Sequence, residues 1–165
     1  MKTKTFGVLI TALLILSSIS VVFITFITDT HDNFEENVTV KSEGITNTVI
    51  TVNDLKLNPS GQCEYTINLV CAASGDFDVT LDYMETENGG MKSFVYVNVS
   101  ADGETVYNGT LSELLDTETK INFKAYLTAK QPVLIKIIYE MPENVGNEAQ
   151  GTYSDFKINL SIVKN

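Results

Sequence analysis

The chain has 165 residues and a formal charge of −10, from 11 Lys, no Arg, and 21 Asp plus Glu. That excludes ordinary nucleic-acid and phosphate binding, which need concentrated positive charge and favour the guanidinium fork. One histidine (His31) and two cysteines (Cys63, Cys71) fall short of an ordinary zinc-ligand set, and the length holds one domain after a leader.

Lys2 and Lys4 precede residues 6–27, which carry no charge, and Asp29, Asp32, Glu35 and Glu36 follow at once. A basic start, an apolar run and an acidic exit predict export, with the amino terminus left inside. At about 1.5 Å per residue, the run is also long enough to cross a bilayer as a helix. Ser18-Ile19-Ser20 is the nearest small-x-small triplet. Residues 1–28 are therefore expected to be a cleaved signal peptide or a retained signal anchor. In the second case the chain meets a membrane through residues 6–27 only. Residues 29–41 read as an acidic linker and possible donor strand, and residues 42–165 as the folded domain.

From there the apolar residues recur with period two. Cys63, Tyr65, Ile67, Leu69 and Cys71 share one face of a strand, and Phe77, Val79, Leu81 and Tyr83 one face of the next. Val95, Val97 and Val99 form a third set; Ile121, Phe123, Ala125 and Leu127 a fourth. Val133 to Met141 and Phe156 to Ile162 complete six half-buried strands, with a weaker one at residues 48–57. Short additions at residues 38–41 and 104–107 raise the number to eight or nine. Asn58-Pro59-Ser60-Gly61, Asn88-Gly89-Gly90, Asp102-Gly103 and Asn108-Gly109 supply the turns between them. Only residues 111–116 and 143–150 hint at helix. Strands with one apolar face must stack on a second sheet, so the expected fold is all-β, a two-layer antiparallel sandwich.

Three stretches resemble the TasA/camelysin family of exported Gram-positive β-sandwich proteins. Phe26-Ile27-Thr28-Asp29-Thr30 with Asn33-Phe34 is similar to the family's junction between signal and mature chain, although Thr25 stands where an alanine is usual. Leu57-Asn58-Pro59-Ser60-Gly61 resembles its Pro-Gly turn before a long strand. The run from Met141-Pro142 through Gly146-Asn147 to Gln150-Gly151, followed by Phe156, resembles its carboxy-terminal signature. The resemblance implies a jelly-roll-like sandwich, processing by a dedicated SipW-type signal peptidase, and a place in cell-surface or biofilm-matrix fibres.

The candidate site residues each have a plainer reading. Eight residues of extended strand hold Cys63 and Cys71 roughly 26 Å apart, so they read as buried small hydrophobes rather than a disulfide. Asp76, Asp78 and Asp82, with Glu85 and Glu87 beyond, could offer calcium its oxygen ligands. They lack a D-x-D-x-D-G loop and read as a solvated face. His31 lies in the acidic linker with no general-base or ligand partner, and there is no H-E-x-x-H motif. No enzymatic activity and no cofactor are therefore expected, despite the peptidase label of the camelysin branch. Four N-x-S/T matches (Asn37, Asn98, Asn108, Asn159) read as chance. Phe94 and Tyr96 fall on the polar parity of their strand, as do Leu134 and Ile138; either they offer a packing surface for another subunit, or a loop or the Leu111–Asp116 turn covers them. Val38 and Val40 could seat on one face of a neighbour's sheet edge.

The leading expectation is a non-catalytic exported fibre subunit, at the cell surface or in the matrix, assembling head-to-tail by strand addition. Its partners are then itself or related matrix subunits. The alternative is a monomeric surface-displayed module binding a glycan or protein ligand. The final residues carry no LPxTG-type sorting motif.

Overall fold

The computed structural model describes residues 23–26, 33–116 and 119–165. Ten strands follow in order: β1 (Phe23–Phe26), β2 (Asn33–Val40), β3 (Ile45–Leu55), β4 (Gln62–Cys71) and β5 (Gly75–Gly89). Then come β6 (Tyr96–Ala101), β7 (Glu104–Thr110), β8 (Lys120–Leu127), β9 (Val133–Glu140) and β10 (Tyr153–Lys164). They form two five-stranded sheets, β1-β3-β10-β5-β8 (sheet A) and β2-β4-β9-β6-β7 (sheet B). Without β1 and β2, the remaining eight pass from sheet to sheet except for the β6–β7 hairpin within sheet B, and the first and last, β3 and β10, lie side by side. That is the order of a jelly roll.

The two inner faces are the residues that the period-two pattern selects. Ile67, Leu81, Ile137, Ile158 and Leu160 are buried between the sheets. The aromatic centre is Phe156, with ring centroids 5.8 Å from Tyr83 and 5.7 Å from Tyr139. One side of the sandwich, between β7 and β8, is closed by a helix α1 (Leu111–Asp116). Its start is a capping box. The Glu113 amide donates to Thr110 Oγ1 at 3.2 Å, and the Thr110 amide donates to Glu113 Oε2 at 3.1 Å. Leu111 and Leu114, on its inner face, are fully buried. The other helical hint, at residues 143–150, is a single 3-10 turn, Asn147–Ala149.

Four expectations change. The helix anticipated over residues 6–27 falls outside the described residues, apart from Phe23–Phe26, and that part is a strand. An apolar run with β-branched and aromatic residues fits a sheet edge as readily as a bilayer. The sandwich is also not wholly antiparallel. β1 pairs parallel with β3, Phe23 opposite Ile50, and β2 parallel with β4, from Asn33 opposite Glu64 to Val40 opposite Cys71. Each parallel pair is separated in sequence by a strand or chain segment of the other sheet, as parallel neighbours must be. Within the segment 29–41, read as linker or donor strand, residues 33–40 form the strand β2, paired in this chain's own sheet. Finally, Phe94 precedes β6 and packs half-buried against the core instead of presenting itself outward.

Candidate functional site

Two places gather the residues that the sequence singles out. The first is the amino-terminal edge of sheet B. The core-facing parity of β2 is Phe34, Glu36, Val38 and Val40. Val38 is 5% exposed and Val40 2%, both within this chain's own core. Burying each contributes about 1.5–3 kcal/mol, so the segment has a firm claim on its own sandwich. Phe34 stacks on Tyr65, centroids 6.0 Å apart. Glu36 shares this inward face and is buried, its Oε2 accepting a hydrogen bond from the Tyr65 hydroxyl at 2.9 Å. Burial pushes the Glu36 carboxyl above its ordinary range, and the Tyr65 bond pulls the other way. The inward charge was visible as parity with Val38 and Val40, but its consequence depends on how tightly β4 covers it. β2 meets its sheet through β4 alone, and residues 41–44 join it to β3. Gly44 there has φ +77°, a left-handed conformation that glycine takes without strain.

The second place is a cleft of about 240 Å³ at one end of the sandwich. Its walls come from two of the stretches that carried the family resemblance. Residues 56–59 form one wall, residues 146–152 the other, and Met91 lies beneath. The Ser60 amide donates to the Met141 carbonyl at 2.9 Å, and the Met141 amide to the Gly61 carbonyl at 3.0 Å. Within the walls, the Gly61 amide donates to Asn58 O at 2.7 Å and the Gln150 amide to Asn147 O at 3.0 Å. The space is thus framed by backbone hydrogen bonds. A Cβ at Gly61 would lie 2.7 Å from Asn58 O, which explains why the tight turn carries glycine.

Elsewhere, Tyr96 is 52% exposed on the outer face of sheet B, and Leu134 is exposed on the same face. Asp82 on β5 meets Lys120 on β8 at 2.9 Å, and Asp78 lies opposite Lys124, so the acidic row is largely answered by lysines. No group of three or more His, Cys, Asp or Glu suited to a metal ion occurs among the described residues. Cys63 and Cys71 both lie on β4, buried on the core face and not joined in a disulfide. His31 lies outside the described residues. Sequence reading missed Lys92, which is buried and bonds Glu85 Oε2 at 2.9 Å and Asp116 Oδ1 at 2.6 Å. Those two carboxylates, Asp116 first, hold the Lys92 ammonium above its usual range, and Lys92 holds Asp116 below. Nothing local announces this group, because its three members come from β5, a 3-10 turn and α1.

No family model matches the chain, and no curated protein matches it significantly. Several solved structures share the general fold at low similarity. A β-glucosidase from Paenibacillus barengoltzii is 12% identical with TM-score 0.39, over 86% of this chain and 13% of that one. The chain therefore spans about an eighth of that enzyme's length. The pre-peptidase C-terminal domain of a collagenase from Bacillus anthracis is 10% identical with TM-score 0.36, over 79% and 98%. A family 35 carbohydrate binding module from Clostridium thermocellum is 11% identical with TM-score 0.33, over 73% and 92%. Similarity of this order says nothing of activity or ligand. No described helix is long and apolar enough to cross a membrane.

Proposed function

We propose that the chain is an exported, non-catalytic structural protein that joins to copies of itself by exchanging β2, as membership in a TasA/camelysin-type fibre family would require. One observation supports the reading: β1 is an edge strand of sheet A and β2 an edge strand of sheet B, and the expected cut near Thr28 would fall between them. A chain cut there loses β1 and begins with β2 as its terminal element. Opening residues 41–44 would then let β2 leave its own β4 and dock on the β4 of a neighbour.

The register would be unchanged, with Val38 opposite Leu69 and Phe34 opposite Tyr65. Closed and exchanged states therefore bury the same side chains, and concentration and the hinge decide between them. Donor strand and acceptor edge are different surfaces, so the contact is head-to-tail and builds a filament wherever the rotation between copies does not close a ring. A retained β1 ties β2 to sheet A at both ends, through β1 on one side and β3 on the other, and blocks exchange. Tyr96, outward on sheet B, is a lateral contact between such filaments.

The test compares chains beginning at Val21, Asp29 and Ser42 by electron microscopy and light scattering. Filaments from the Asp29 chain alone support the reading. A strictly monomeric Asp29 chain across pH and concentration, or equal filaments from the Ser42 chain, overturns it in favour of the monomeric binding module.

A further inference from the structure

The connection from β9 to β10 covers residues 141–152, at the upper end of what compact domains use without a functional reason. It is nevertheless ordered by its own bonds: Val145 N to Pro142 O at 3.2 Å, Gln150 N to Asn147 O at 3.0 Å, and Thr152 Oγ1 to Ala149 O at 2.7 Å. A long loop fixed in this way over a cleft gives a preformed site, in which little ordering opposes a ligand.

The chemistry of the lining narrows the ligand. Lys56 supplies the one charge, and Asp54 Oδ2 already sits 2.6 Å from its ammonium. The lining includes no carboxylate and no aromatic ring. The remaining polar side chains are three primary amides, Asn58, Asn147 and Gln150, and Thr152, whose hydroxyl already donates to Ala149 O, beside an apolar part that includes the buried Met91 and Ala149. The side-chain amides of Asn147 and Gln150 make no hydrogen bond among the described residues, and both residues are exposed. A primary amide offers donors and an acceptor together, which matches vicinal hydroxyls and acetamido groups, each donor and acceptor at once. A charged group on the ligand would meet Lys56 alone, and would compete with Asp54 for it. The volume holds about one pyranose ring with a small substituent, not an extended peptide.

We infer that this cleft binds one N-acetylated hexosamine unit of a neutral polysaccharide. The acetamido group and ring hydroxyls meet Asn147 and Gln150, the acetyl methyl rests toward Met91 and Ala149, and the cleft's open side lets the polymer run on. The cleft shares no residue with β2, so the site stands or falls apart from strand exchange.

The experiment is a titration of the full-length, isotope-labelled chain followed by amide NMR. The probes are the tetramer of N-acetylglucosamine, its de-acetylated counterpart, cellotetraose and a capped alanine dipeptide. The expected result is saturable shifts confined to residues 56–59, 91 and 146–152 with the N-acetylated tetramer. The Asn147→Ala, Gln150→Ala double variant keeps the wild-type spectrum elsewhere and binds about tenfold more weakly or worse, as loss of two hydrogen bonds requires. Absence of saturable shifts, equal affinity of the double variant, or shifts centred on Tyr96 overturns the site. Equal binding of cellotetraose overturns the acetamido contact, and preference for the capped dipeptide shows that the cleft takes a peptide instead.

Discussion

Tyr83 on β5 and Tyr139 on β9 point at each other from opposite sheets, both buried, with their hydroxyl oxygens 3.3 Å apart. Among the described residues each hydroxyl has only the other as partner. Changing either tyrosine to phenylalanine keeps the ring contacts with Phe156 but leaves the surviving hydroxyl buried and unpaired. Such a group costs about 1–2 kcal/mol, whereas deleting both partners of a neutral pair is close to neutral. Tyr83→Phe and Tyr139→Phe should therefore each lower stability by about 1–2 kcal/mol, and the double variant by less than about 0.5 kcal/mol. With a urea slope of about 2 kcal/mol/M, each single variant lowers the unfolding midpoint by about 0.5–1 M. The double variant should return to within about 0.25 M of the parent. A double variant that loses the sum of the singles would refute the pairing, because the two hydroxyls would then have separate partners. The pair also has a signature in alkali. Burial, before any other cause, raises both phenols above their ordinary value. An acid raised on folding gives stability that is intact below its unfolded pKa of about 10 and lost as pH climbs above it. Above that pH the parent should therefore lose stability more steeply than the double variant.

Three further outcomes are expected. Glu36→Gln should raise stability at neutral pH, and the gain should vanish in acid. The reason is that a carboxyl raised on folding contributes stability below its unfolded pKa and loses it as pH rises through the folded one, which urea midpoints at several pH values will show. Lys92→Ala should cost about 1–2 kcal/mol by the same assay, because Glu85 Oε1 already lacks a hydrogen-bond partner and would lose the cation beside Oε2. Asp116, nearly half exposed, should add little, so Asp116→Asn should be much milder. Cys63 and Cys71 should resist alkylation in the native state and react fully in urea; fast native labelling at both, or a mass two units low, would contradict two buried thiols outside any disulfide.

The sequence alone determined most of the secondary structure. A strand alternates its side chains strictly, so Cys63 to Cys71, Phe77 to Tyr83 and Phe156 to Ile162 declared both their conformation and their buried face. The hint of helix at residues 111–116 has an equally local cause, the capping box of Thr110 and Glu113, which needs no tertiary partner. Tertiary structure decided everything that depends on which strand lies beside which. Period two does not distinguish parallel from antiparallel neighbours, so the parallel pairing of β1 and β2 was invisible. The burial of β2 could not be read either: Val38 and Val40 are core residues only because β4 offers its edge. An uncharged run such as residues 6–27 satisfies a bilayer and a sheet equally well, and the strand at Phe23–Phe26 exists because β3 accepts it. The cleft was beyond local reading for the same reason. Its two walls are separated by almost ninety residues of chain and meet because β4 and β9 are neighbours in sheet B, bringing Gly61 and Met141 within hydrogen-bonding distance.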